Sequence, residues 1–316
     1  LPHMPVMDDT PGGQGDISGM IAGEQPWVAG VDLALCGMEV PIAPDGVASG
    51  YPMFGTLPPV VQALRGSGWD GCATASNHAY DQGLAGVVAT ADTLVANGMG
   101  FAGTNRSQAE AATPYQLYRL EREGRTVTVA QLSSTYSLNG LVDETGWAVQ
   151  INSVEWAAAQ ARAARDAGAD VVVLHSQIGE EYTRDPVQSQ TDYANAIAAT
   201  GEIDVLFSAH PHVPLDTGHR AGPRAPGGPH QGHNVLADDG GHVDGVDRLL
   251  EPHDVTDGDR GVLDPPLERA AGDALQDVGL VGGAGVGQDL LHEEAVHLGL
   301  GQDVGALLLD GVLGGQ

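Results

Sequence analysis

Lysine is absent from all 316 residues, and 13 arginines stand against 42 acidic side chains, a net charge of −29 with histidine neutral. A chain with so few cations cannot neutralise phosphates in number, which excludes nucleic acid and anionic membrane surfaces as partners. The same balance suits a divalent cation. Cysteine is nearly missing as well: only Cys36 and Cys72 occur, so there is no disulfide framework. Each lies near the end of an apolar run. A bridge between neighbouring strands is one reading, and two buried thiols, the common state of free cysteine, are the expectation. No stretch of 18 apolar residues is present, so nothing in the sequence reads as a membrane-spanning helix. No signal peptide is visible. The sequence opens on Leu1-Pro2-His3-Met4 without an initiator methionine, so its true start is expected upstream.

What is present is enough for a core, since 42% of residues are hydrophobic. The first thirty residues are irregular, with a short helix expected around Ile17 to Ala29. Val31 to Cys36 is short, apolar and followed by Gly37, the pattern of a buried strand. A Pro- and Gly-rich loop leads to a helix over Val60 to Gly66, and Trp69 to Ala73 is a second strand. Leu84 to Asn97 has helical spacing and stops at Gly98, and Met99 to Ala102 is a third strand. Tyr115–Glu121 and Thr126–Leu132 alternate around Arg122-Glu123-Gly124-Arg125, which predicts a hairpin. Ser153 to Ala167 and Pro186 to Thr200 are helices, each leading to a buried strand, Asp170–His175 and Ile203–Ser208. Strands alternating with helices, plus one hairpin, predict an α/β fold of mixed sheet character.

Beyond Thr217 the composition changes abruptly. The last hundred residues contain no Phe, Trp, Tyr, Ile, Met, Ser or Lys, yet 22 are Gly. Residues 1–216 are therefore expected to form one domain. Residues 217–316 read as a low-complexity acidic, Gly-rich region, either a flexible tail or, the preferred reading, the product of a shifted reading frame. The seven histidines there, among them His230, His233 and His242, resemble a metal tract but carry no assigned function.

The other five histidines are His3, His78, His175, His210 and His212, and each falls at a predicted strand end or in an adjoining loop. In layered α/β proteins, ligands collect at the carboxyl ends of the strands. Ser76-Asn77-His78 follows the second strand with Asp81 three residues on, and His210-Pro211-His212 follows the last. Asparagine offers a neutral carbonyl oxygen and histidine a nitrogen or a proton. With Glu39 also placed after a strand, this set predicts a metal site.

The order of these pieces resembles the calcineurin-like metallophosphatases, and more closely the CapA family associated with capsule and poly-γ-glutamate synthesis. The resemblance covers roughly residues 1–216. It rests on Gly37-Met38-Glu39-Val40-Pro41, Ser76 to Gly83, Gly179-Glu180-Glu181-Tyr182 and Ala209-His210-Pro211-His212-Val213. It implies a four-layer sandwich, two mixed β-sheets flanked by helices, with two divalent ions of the Mn, Fe or Zn class between strand ends. Carried over residue by residue, Glu39 would bridge the ions, His3 and His212 would help hold one, and Asn77 and His210 the other. Such a pair stabilises in-line displacement at phosphorus. His78 would then contact phosphoryl oxygens or protonate the leaving group. Asp81 would orient that imidazole, or simply be an early-helix carboxylate favoured by the dipole.

Several departures from the family pattern stand out. A Gly-Asp pair is expected just before Leu1, Gly37 stands where the family has Asn, and Glu39 replaces the usual bridging Asp. Counting back from Glu181-Tyr182, Gln177 occupies a position where the family has His. His175, two residues earlier on the same strand face, could reach the site from one step deeper, with Gln177 a substitute neutral ligand or a loss. The Gly-Asn-Phe segment expected after the His pair is also missing. Three functions follow: a metal-dependent phosphoesterase acting on a phosphoester or anionic polymer, a non-catalytic polymer synthesis or export factor, and an acidic binding module without metal. The resemblance also implies an extracellular or cell-surface location.

Overall fold

The computed structural model describes residues 2–122, 124–213, 217–221, 233–237 and 307–309. Six helices and ten strands are defined among them. The helices are α1 (Met4–Asp8), α2 (Gln25–Val28), α3 (Pro59–Ser67), α4 (Gly83–Ala96), α5 (Val154–Asp166) and α6 (Gln188–Thr200). The strands are β1 (Leu33–Gly37), β2 (Gly71–Ala73), β3 (Gly100–Ala102), β4 (Gln116–Arg122), β5 (Arg125–Thr135), β6 (Val171–Gln177), β7 (Val205–Ala209), β8 (Thr217–Ala221), β9 (His233–Ala237) and β10 (Leu307–Leu309). They form two mixed sheets. The first runs β10-β1-β2-β3 and the second β4-β5-β6-β7-β9-β8. β1, β2 and β3 are parallel, as are β5, β6, β7 and β9, while β10, β4 and β8 pair antiparallel.

Alternation along the strands builds four layers. Leu33 and Leu35 of the first sheet meet Val129, Val173 and Val205 of the second in one apolar cluster between the sheets. The opposite face of the first sheet, Ala34, Cys36 and Cys72, packs on Val60, Val61 and Leu64 of α3 and Leu94 of α4. Outside the second sheet, Ala130, Leu132, Val172 and Leu174 pack against Ala157, Ala161 and Ala164 of α5 and Ala194 and Ile197 of α6. Alanine at 3–4-residue spacing brings α5 close to the sheet. Its start is fixed by Ser153, whose hydroxyl accepts from the Trp156 N–H.

One device recurs where the parallel strands begin. Asp70, Asp170 and Asp204 each sit one residue before their strand, β2, β6 and β7. The N–H of each donates to the neighbouring strand's carbonyl, at Ala34, Thr128 and Val172, at 2.8–3.0 Å. The carboxylate of each accepts from the N–H of that same residue, at 3.0, 2.9 and 2.7 Å. Three rings of two hydrogen bonds thus register the strands at the end opposite the candidate site.

Two expectations are corrected. Cys36 and Cys72 are register partners on the parallel pair β1–β2 and are joined as a disulfide, with no free cysteine. Adjacent parallel positions bring the Cα atoms to 4.4 Å, within bridging reach. The helix expected over Ile17 to Ala29 is reduced to a short 3₁₀ turn and the four residues of α2, because Pro26, in the first turn of α2, cannot continue a helix from upstream and Gly19 and Gly23 weaken that stretch. Of the Gly-rich region, three short strands are described, and His230 and His242 lie outside the described residues.

Candidate metal centre

The carboxyl ends of β1, β2, β6 and β7 meet at one edge of the two facing sheets. β1 continues into Met38, whose N–H reaches the Ala73 carbonyl at 2.8 Å, and so presents Glu39. The Ser76 hydroxyl donates to the Glu39 carbonyl at 2.6 Å, tying the β1 and β2 loops together. β6 ends on Gln177, and β7 runs directly into His210-Pro211-His212. Both of these histidines adopt positive φ, 97° and 56°, a conformation that residues with a Cβ adopt only when surrounding contacts impose it. Gly179 makes room for them: a Cβ there, at φ +149°, would lie 2.8 Å from the Pro211 ring.

Among the described residues, one group of three His, Cys, Asp or Glu side chains brings ligand atoms within 4.8 Å of one another, namely Glu39, His210 and His212. His212 Nε2 lies 3.6 Å from Glu39 Oε1. Burial works to raise the Glu39 pKa, but the neighbouring His212, with a smaller contribution from the charge of His78, helps to leave the carboxyl below its usual range. Burial lowers the pKa of His210 against the opposing pull of Glu39 and Glu181, which favours the neutral imidazole that metal binding requires. The Tyr136 hydroxyl holds His210 Nε2 at 3.1 Å, while Nδ1 is buried without a hydrogen-bond partner. An imidazole fixed through one nitrogen with a bare second nitrogen is the usual state of a ligating histidine. A carboxylate and two imidazoles, held this way, fit a divalent ion.

The remaining residues expected here fall around that set. His78 Nδ1 pairs with Asp81 Oδ2 at 2.8 Å, and the same oxygen accepts from the Phe54 N–H at 2.7 Å. Both residues are buried, so Asp81 is a buried partner of His78 and not an exposed early-helix carboxylate. His78 is near enough for its charge to bear on Glu39 and His210. Asn77 Oδ1 and Glu39 Oε1 both accept from Gln177 Nε2, at 3.2 and 3.1 Å. His175 lies on the same strand face as Gln177, one step deeper, where it lines the cavity behind the His pair and packs on Phe207. Its Nε2 is buried without a hydrogen-bond partner, and it stands outside the three-residue set. His3, at the start of α1, also stands outside that set; it and His78 both pack on the Phe54 ring, at 4.7 and 4.6 Å between centroids.

Three contributors have no signal in the sequence patterns: Phe54, Tyr136 and Asn139. Asn139, at φ 51°, accepts from Asn77 Nδ2 at 3.4 Å and sets its own Nδ2 3.4 Å from His78 Nδ1. Each sits on a loop that returns to the site from far along the chain. The polar run Ser133 to Ser137 that carries Tyr136 past the end of β5 is the nearest to a hint.

Two facing mixed sheets flanked by helices, with a carboxylate–imidazole set at the strand ends, define a four-layer α/β sandwich with a candidate metal-ligand edge. The family described as bacterial capsule synthesis protein PGA_cap matches residues 1–221, and the chain belongs to that family. Solved structures similar to it include a NAD nucleotidase of Haemophilus influenzae, at 12% identity and TM-score 0.40, covering 57% of this chain and 36% of that one. A 5′-nucleotidase precursor of Thermus thermophilus matches at 14% identity and TM-score 0.40, over 56% and 34%. A calcineurin-like phosphoesterase of Bacillus subtilis matches at 17% identity and TM-score 0.36, over 65% and 81%. The match spans about a third of the length of each nucleotidase. No curated protein matches the chain in sequence.

Proposed function

We propose that the protein is a divalent-metal-dependent phosphoester hydrolase of bacterial capsule synthesis, working at the cell surface on a phosphoester or phosphate-bearing anionic polymer. The observation that carries this reading is the juxtaposition of Glu39, His210 and His212 with the buried His78–Asp81 pair. An ion held by the first three would supply positive charge to phosphoryl oxygens and acidity to an attacking water. The protein's own part is proton transfer and orientation. Asp81 accepts from His78 Nδ1–H, and in the doubly protonated ring the Nε2–H is the proton that would pass to the leaving oxygen, leaving the neutral Nδ1–H imidazole on Asp81. The Phe54 N–H on Asp81 holds that geometry before substrate arrives.

The test is hydrolysis of a generic aryl phosphoester by the purified protein reconstituted with Mn²⁺. His78→Ala is expected to lower kcat by about 10²–10⁴-fold, the usual span for a general acid, with bound metal unchanged. Activity that survives this substitution removes His78 from the role. A second reading, a synthesis or export factor that keeps the metal but does not hydrolyse, is favoured by Gln177, whose hydrogen bonds occupy Glu39 and Asn77. Full metal occupancy without turnover would select it.

A further inference from the structure

We infer that the centre holds one divalent ion, at Glu39, His210 and His212, and that the Gln177 amide takes the place of a second. The inference rests on the metal reading above. A primary amide nitrogen carries two hydrogens and no lone pair to give. Gln177 Nε2 directs one toward Glu39 Oε1 at 3.1 Å and the other toward Asn77 Oδ1 at 3.2 Å. Those two oxygens are the donors a cation on the Asn77 side would need. Each already has a partial positive charge on it.

The orientation of that amide is fixed by its neighbours. Asn77 Nδ2 donates to Asn139 Oδ1, which turns Asn77 Oδ1 toward the Gln177 amide nitrogen. Turning Gln177 over to offer Oε1 would set oxygen against oxygen at both Glu39 and Asn77. Gln177 is itself buried and ends β6 in register with Thr135 and Ala209, which fixes its backbone beside Glu39 and Asn77. On the other side of Glu39 the chemistry reverses. The Tyr136 hydroxyl engages His210 Nε2, and the buried Nδ1 has no partner. One half of the site is built to give lone pairs to a cation, and the other half is already filled by hydrogens.

Metal content decides the matter independently of activity. The full chain is dialysed against Mn²⁺, its bound metal is counted by mass spectrometry, and its Mn(II) spin-resonance spectrum is recorded. We expect one ion per chain and no exchange-coupled pair in the wild type. Gln177→His, which replaces the two hydrogens with a lone pair, is expected to bind two ions and to show the coupled signal. Gln177→Glu serves the same purpose should the imidazole fail to fold, as judged by circular dichroism. Two ions in the wild type would overturn the inference and leave the metal reading standing. A single ion in both folded variants would remove Gln177 as the cause. No ion at all would overturn the metal reading itself, and this inference with it.

Discussion

His175 is an imidazole that its surroundings keep uncharged. Burial between the sheets pushes its pKa down to about 4, against about 6.5 in an unfolded chain. Between those values the unfolded chain binds more protons than the native one, so stability rises with pH across the window, by up to about 3 kcal/mol for a shift of this size. His175→Leu removes the titrating group and the buried nitrogen that has no partner. In metal-free protein, urea unfolding at pH 4.5 and pH 7.5 is expected to show a markedly smaller difference for the variant than for the wild type. At pH 7.5 the variant is expected to be no less stable, because an unsatisfied buried polar atom costs about 1–3 kcal/mol. Its bound metal is expected to be unchanged, since His175 lies outside the set formed by Glu39, His210 and His212. Loss of the ion in this variant would make His175 a ligand after all.

The strand-opening aspartates belong to the next scale. Asp204 accepts from the Val172 N–H at 2.7 Å and from Arg165 Nη2 at 2.6 Å. Burial nevertheless raises its pKa, with Arg165 only partly offsetting the shift, so desolvation outweighs the ion pair. The acceptor oxygen therefore matters more than the charge. Asp204→Ala orphans the Val172 N–H and is expected to cost about 1–3 kcal/mol in urea unfolding. Asp204→Asn keeps the oxygen and is expected to cost less than half as much. Equal losses would show that the Arg165 pair, and not the strand register, is what Asp204 supplies. The sequence exposes these elements well but not their pairing. Apolar runs ended by Gly37, Gly98 and Gly168 locate the strands and helices to within a few residues. The period of two places His175 and Gln177 on one face. Nothing local says that β1 and β2 are parallel neighbours, so across 36 residues of separation the sequence could not select the Cys36–Cys72 bridge over two buried thiols. Phe54, Tyr136 and Asn139 were illegible for the same reason. Their roles arise from contacts 24 to 74 positions away along the chain, and a residue's own neighbours carry no trace of them.

For the whole molecule, the two sheets set their site at an open edge of a chain with net charge −29. Such a field attracts small cations and repels anions at once, and both effects are screened as the Debye length falls from about 30 Å at 0.01 M salt to about 8 Å at 0.15 M. The two ligands of the proposed reaction should therefore respond to salt in opposite directions. Mn²⁺ affinity, followed by calorimetry, is expected to weaken several-fold as NaCl is raised from about 0.01 to 0.15 M. Over the same range, kcat/KM for a dianionic phosphoester on metal-saturated protein is expected to rise, because the repulsion that slows its approach is removed. A neutral phosphotriester analogue separates this field from any general effect of salt on the fold, since its binding should stay flat. If metal and dianion both weaken together, salt is acting on the site itself and the long-range field is not what governs entry. Opposed slopes would explain how an acidic, lysine-free chain handles an anionic substrate: the bound ion, and not the protein surface, supplies the attraction.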